Sequence, residues 1–157
     1  MTGELSVRPY QPADAAALSA LYEASVRELG SRDYSVAQIE AWASLAPSTE
    51  ALAGRMEDGR TRLVAVMGEI AGFIDVETDG HIDLLYVAPA ATGLGVARLL
   101  LETAEALAPL SGASRLYAEA SETARPVFER LGFTVSARRD FEVAGVPIHN
   151  WSVEKPL

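Results

Sequence analysis

Residues 81–107, HIDLLYVAPAATGLGVARLLLETAEAL, constrain the fold more than any other part of the chain. His81 to Val87 is mostly apolar and ends in the run Leu84-Leu85-Tyr86-Val87, which predicts a strand buried on both faces. Pro89 stops it, because proline has no N–H to give to a ladder. From Val96 the apolar residues recur at Leu99, Leu100, Ala104 and Leu107, with Arg98, Glu102 and Glu105 on the other side. That is the spacing of an amphipathic helix.

Between strand and helix lies Thr92-Gly93-Leu94-Gly95-Val96-Ala97. The first turn of a helix leaves its N–H groups unpaired and carries partial positive charge, so it attracts anions. Glycine lets an anion reach that backbone with no Cβ in the way. The loop therefore reads as a diphosphate cradle; an ordinary turn into a core helix is the alternative.

The order strand, proline, glycines, helix resembles the GNAT superfamily of acyl-CoA-dependent N-acyltransferases. The family signature is Gln or Arg, two free positions, Gly, one free position, then Gly or Ala. Gly95 and Ala97 match it, Gly93 is a frequent extra glycine, and Thr92 departs from it by lacking the long donor side chain. A later segment, Ser121 to Phe133 (SETARPVFERLGF), looks like the family's later helix and its Gly-Phe exit.

The resemblance covers nearly the whole chain and implies an α/β (α+β) fold over residues 1–157 as a single domain. Its sheet is mixed, mostly antiparallel and six- to seven-stranded, flanked by helices, with a splayed central parallel pair. It also implies acetyl-CoA as co-substrate. The pantetheine arm would lie along the main chain of Leu85, Tyr86 and Val87. The diphosphate would lie on Thr92, Gly93, Leu94, Gly95, Val96 and Ala97, with Arg98, Ser121 and Phe128 nearby. Ser121 stands where the family often has asparagine. Phe128 stands where it has a tyrosine that protonates the departing thiolate, and phenylalanine has no proton to give.

Composition narrows the classes. A length of 157 residues with 49% hydrophobic residues suits one domain with a real core. The formal charge of −9 argues against a nucleic-acid partner, which needs a basic footprint. With no cysteine there is no disulfide framework and no zinc–thiolate site, and no metal is expected. No apolar run reaches the roughly 18 residues of a spanning helix, and the N-terminus has no signal-peptide core. A cytoplasmic protein without a membrane partner is expected, and a homodimer is left open.

Along the chain, Leu5 to Arg8 alternates as a first strand. Pro12 and Asp14 open a helix with Leu18, Leu21, Tyr22 and Leu29 on its stripe and Gly30 as its stop. Ser35-Val36-Ala37-Gln38 has the form of a capping box, starting a helix that carries Ile39 and Trp42; a short third helix follows from Thr49. In the resembled family this region covers the acceptor, which makes Tyr34 and Trp42 candidate substrate contacts, with core packing as the alternative for both. Thr61–Met67 and Ile70–Val76 read as a hairpin about Gly68-Glu69. The strand Arg115–Glu119 is expected parallel to His81–Val87. Thr123 is the expected N-cap of the later helix, Pro126 lies in its first turn and Gly132 ends it. A closing hairpin turns at Ala144–Pro147.

Acyl transfer to an amine requires a base, because a free alkylamine with a pKa of roughly 10 is protonated at pH 7. The family's base often lies on the strand before the glycine loop, which here points to His81 and Asp83. They share a strand face, being two apart. Asp83 sits among Ile82, Leu84 and Leu85 and is read as the base acting through water; a wet strand start or an ion pair with an arginine such as Arg115 is the alternative. His81 also reads as a solvated turn residue. Glu119, at the end of the next strand, is a third carboxylate, for base or cation binding, against a capping or ion-pair role. Arg139, in register with Phe133, Val135, Ala137 and Phe141, is read as a carboxylate-binding residue of the acceptor pocket, or as a strand end in water.

The preferred function is N-acetylation of a small-molecule or peptide primary amine by direct attack. Its rivals are a non-catalytic acyl-CoA-binding module and, more distantly, a dinucleotide site, against which Arg98 stands where a third glycine belongs.

Overall fold

The computed structural model describes residues 3–157. β1 (Ser6–Pro9) leads through a 3₁₀ turn into α1 (Ala15–Leu29), α2 (Val36–Ala43) and α3 (Thr49–Gly54). The hairpin β2 (Thr61–Met67) and β3 (Glu69–Val76) runs on into β4 (Ile82–Val87), α4 (Val96–Leu107) and β5 (Arg115–Ala120). α5 (Arg125–Arg130) and the hairpin β6 (Thr134–Val143) and β7 (Val146–Pro156) complete the chain. No helix among the described residues is long and apolar enough to cross a membrane.

The local signals act as read. Ser35 Oγ accepts from the Gln38 N–H at 3.2 Å while Gln38 Oε1 accepts from the Ser35 N–H at 2.9 Å, closing the capping box that starts α2. Two details differ. Gly30 is right-handed, φ −68, and α1 runs through it into a 3₁₀ turn. A Cβ there would sit 2.8 Å from Ile39 Cδ1, so the residue is small to let α2 pack close. The turn into α5 is capped by Ser121, whose Oγ accepts from the Ala124 N–H at 3.0 Å, and Thr123 Oγ1 donates to Asp33 Oδ2 instead.

The sheet is divided in two. β1-β2-β3-β4 is antiparallel throughout, and β5-β7-β6 forms a second antiparallel sheet. The expected parallel pairing of β4 with β5 contracts to one bridge, His81 to Tyr117, with the Tyr117 N–H donating to the Gly80 carbonyl at 3.1 Å. Gly80 makes this approach feasible, since a Cβ on it would lie 1.9 Å from the Arg115 carbonyl oxygen. Beyond the bridge β5 is paired along its whole length to β7 and each sheet follows its own twist, so the strands part. β4 is consequently half-buried over Asp83–Val87 rather than covered on both faces.

Two apolar layers fix the frame. On one side Ile74, Ile82, Val96, Leu100, Leu116 and Phe128 pack together under α4. Leu100 is fully buried, worth roughly 2 to 3 kcal/mol of transfer free energy. On the other side Leu18, Leu52, Val64 and Phe73 pack under α1 and α3. Gly72 of β3 admits the first turn of α4, for a Cβ there would meet Val96 Cγ1 at 2.7 Å. That close approach sets the position of the glycine loop.

Candidate active site

The parting of β4 and β5 opens a cleft of about 1060 Å³. Ile82, Asp83, Leu85, Tyr86 and Val87 form one wall and Ala118, Glu119, Ala120 and Ser121 the other. The glycine loop closes one end; Leu29, Trp42, Leu45 and Phe141 line the opposite part.

At the loop end, Gly93 and Gly95 hold φ +81 and +83, where any side chain strains the backbone, and a Cβ on either would enter open space. Gly95 is the N-cap of α4 and no side chain caps that helix. The first bond of the helix runs from the Leu99 N–H to the Gly95 carbonyl at 3.0 Å, which leaves the N–H groups of Val96, Ala97 and Arg98 ahead of the ladder. A concave, donor-rich backbone with room for a bulky anion fits a diphosphate. Thr92, Ala97, Arg98, Ser121 and Phe128 also line the cleft. Leu94 is 47% exposed and is not part of the lining. Arg98 is paired with Glu102 at 2.8 Å on the exposed face of α4. Phe128 is buried edge-to-face against Phe133, ring centroids 4.9 Å apart.

The three candidate acid–base residues gather beside the β4–β5 bridge. A bulge at Asp75/Val76 leaves Asp83 as the extra residue of β4. Ile82 therefore packs under α4 while Leu84, two residues on, packs on the α1 side. Asp83 stays beside His81, in a group with Glu77 whose ligand atoms all lie within 4.8 Å of one another. Its ion-pair partner is Arg60, 3.2 Å away, not Arg115, which pairs with Glu154. His81 is not a solvated turn residue: its Nδ1 lies 2.6 Å from Glu77 Oε1 and its Nε2 2.7 Å from Glu119 Oε2. Burial alone would lower the imidazolium pKa, but the two carboxylates outweigh it and raise it above 6.5. Glu119 and Asp83 face the cleft; His81 stands behind Glu119.

At the end of the cleft away from the glycine loop, Trp42 is half-buried on the wall and packs edge-on against Tyr34 at 5.3 Å. Tyr34 also lines the cleft, but its hydroxyl is used in a tie: it donates to the His149 carbonyl at 3.0 Å and accepts from the Glu122 N–H at 2.7 Å. Arg139 does not line the main cleft. The bulge between Val135 and Ala137 puts those two on opposite faces of β6, which breaks the register read from the sequence, and Arg139 faces a smaller adjoining pocket.

Two features had no reading in the sequence. Asp75, fully buried, binds Arg62 Nε and Arg60 Nη1, each at 2.6 Å, so Arg60 links the buried pair to Asp83. Glu122 accepts from Trp151 Nε1 and lies 2.9 Å from His149 Nε2, and those bonds, Trp151's first, hold its carboxyl below the usual range.

The family model for the acetyltransferase (GNAT) domain matches residues 31–155. The uncharacterized N-acetyltransferase YafP of Escherichia coli (strain K12) is 31% identical over 147 residues, 94% of this chain and 93% of that one. A crystal structure from Rhodopseudomonas palustris, described as a GCN5-related N-acetyltransferase and as an aminotransferase, class-II, is 35% identical with a TM-score of 0.90. It is matched over 100% of this chain and 98% of that chain. PaiA N-acetyltransferase from Thermoplasma acidophilum, in complex with coenzyme A, has a TM-score of 0.78 at 20% identity, covering 98% and 99%, a likeness of fold.

Proposed function

This chain belongs to the GNAT acetyltransferase family and is an acyl-CoA-dependent N-acetyltransferase, and we propose that it acetylates a primary amine by direct attack within the β4–β5 cleft. The observation that carries the reading is continuity: one cleft runs from the glycine loop past Asp83 and Glu119 to the aromatic acceptor end. The coenzyme complex of the Thermoplasma protein supports the coenzyme half of it.

The diphosphate rests on the α4 N-terminus and the pantetheine arm follows Leu85, Tyr86 and Val87. Asp83, held by Arg60, and Glu119 draw the ammonium group into the cleft. Glu119 takes one proton from it. The neutral imidazole of His81 donates Nδ1–H to Glu77, so its Nε2 lone pair faces Glu119 and takes the proton on. The freed amine nitrogen attacks the thioester carbonyl and the C–N bond forms. As the C–S bond breaks and the thiolate leaves, Glu119, ionised again after handing its first proton to His81, takes the second proton from the nitrogen and leaves the neutral amide. A thiolate with a pKa near 8.5 leaves without an acid, consistent with phenylalanine at position 128.

The test is release of coenzyme thiol from acetyl-CoA with a panel of amines, alongside calorimetric binding of acetyl-CoA. Amine-dependent release is expected. Binding of acetyl-CoA that no amine converts to release would overturn the reading in favour of a binding module.

A further inference from the structure

Among the described side chains, the cations without a carboxylate partner are Arg32, Arg130 and Arg139; the rest are paired within the protein. In a chain of formal charge −9 such positions are conspicuous. Arg130 lines the cleft on α5, on the coenzyme side, and Arg32 lines it where α1 ends. Arg139 differs because it shares a pocket of about 340 Å³ with Glu119, the carboxylate to which the proposed function gives the amine.

Arg139 is exposed, but its side chain is oriented by two contacts. Its Nη1 donates to Asn150 Oδ1 at 3.1 Å, and its guanidinium lies 5.5 Å from the centroid of Phe141. Asn150 and Phe141 themselves line the main cleft. The other guanidinium N–H groups have no partner among the described residues, leaving an oriented fork of the kind that binds carboxylate through two parallel bonds. Arg115 in the same pocket is neutralised by Glu154 and Arg138 by Asp140, so the free positive charge at this place belongs to Arg139.

We infer that the acceptor is an amine that carries a carboxylate, of the amino-acid type, with its ammonium at Glu119 and its carboxylate on Arg139. This rests on the acetyltransferase reading and narrows it. Trp42, Leu45 and Phe141 on the adjoining wall suit an apolar side chain.

The experiment compares kcat/KM for L-leucine and L-phenylalanine with their amides under saturating acetyl-CoA at pH 8. The amide amine is the weaker base and so is more deprotonated, which favours the amide unless the carboxylate is recognised. Acids are expected to exceed amides by on the order of tenfold to a hundredfold, the range for a charge-assisted bond. In Arg139→Ala the acid-to-amide ratio should collapse to one or below, and Arg139→Lys should restore part of it. Turnover of amides equal to or above acids, or a ratio unmoved by Arg139→Ala, overturns the carboxylate assignment and leaves the acetyltransferase reading standing. Acetyl-CoA binding with no turnover of these or of simple alkylamines overturns both.

Discussion

His81 Nε2 lies 2.7 Å from Glu119 Oε2, so the contact beside the β4–β5 bridge also joins the cleft wall to a titratable ring. Two sheets that share one backbone bridge are thereby tied through side chains at the point from which the cleft opens. The second ring nitrogen is held by Glu77, which lies outside the cleft lining.

That arrangement sets the direction of the pH response. The imidazolium pKa is raised above 6.5, so the proton-accepting form is filled only as pH rises through that higher value, and kcat/KM should climb over the same interval. Removing a carboxylate that raises it lowers it. Glu77→Gln, whose amide oxygen still accepts from Nδ1–H, should therefore move the acidic limb of the kcat/KM profile to lower pH with little change in KM. A limb that stays in place in this variant would remove His81 from the proton path.

Gly95 and Gly112 make a matched pair for the coenzyme cradle. Both hold a left-handed backbone, φ +83 and +89, and neither has an atom within 4 Å of a built Cβ. Alanine at either should cost about 1 to 2 kcal/mol of backbone strain, or roughly 2–8 °C in Tm for a chain of this size. Only Gly95 lines the cleft. Calorimetry should find coenzyme A binding weakened in Gly95→Ala and intact in Gly112→Ala. Equal affinity in the two would mean that the loop backbone does not hold the diphosphate.

What the sequence yields here follows from the range of each interaction. The strand, the glycine turn, α4, the Ser35 capping box and the Gly68 hairpin are all set by neighbours within a few residues, and they form where the pattern puts them. The Arg60 hub was invisible because its partners Asp75 and Asp83 lie 15 and 23 positions away and charges on strands read as solvent-facing. Tyr34 reaches 115 positions to His149, a pairing no local pattern encodes. The bulges at Asp75/Val76 and Val135/Ala137 shift the alternation without a marker residue, which is why the register read for Arg139 with Val135 and Ala137 does not hold.

Phe128→Tyr tests the departure of the thiolate. The ring is 3% exposed, lines the cleft and packs edge-to-face on Phe133. If the sulfur leaves unprotonated, supplying an acid should raise kcat by about tenfold near pH 7, below the usual gain from general acid catalysis because a thiolate already departs readily. The gain should fade above a pH of about 8.5, where the thiolate needs no proton. The measurement is the ratio of variant to wild-type kcat at both ends of that range. A ratio below one at both, with coenzyme affinity intact, would show that the hydroxyl is not directed at the sulfur.

Asp75 should be the most costly single carboxylate to remove. It is fully buried between Arg62 Nε and Arg60 Nη1, and Arg62 is itself 2% exposed, with Nη2 unpartnered and the guanidinium 4.5 Å over the Tyr10 ring. Asp75→Ala leaves buried positive charge without its counter-ion, a loss of about 3 to 5 kcal/mol, which at roughly 2–4 °C per kcal/mol lowers Tm by about 6–20 °C. Asp58, about half exposed, pairs with the same Arg60 at 2.7 Å and should cost far less when changed to alanine, because water screens it. The double change Arg62→Met with Asp75→Leu removes both charges of the buried pair and should recover part of the loss. Arg60, released from Asp75, would close on Asp83 and neutralise the carboxylate offered to the amine, so KM for the acceptor should rise in Asp75→Ala at temperatures where the variant is folded. Thermal unfolding and acceptor KM measured on the three variants decide it: equal Tm losses for Asp75→Ala and Asp58→Ala would contradict the buried network, and an unchanged KM would separate that network from the site.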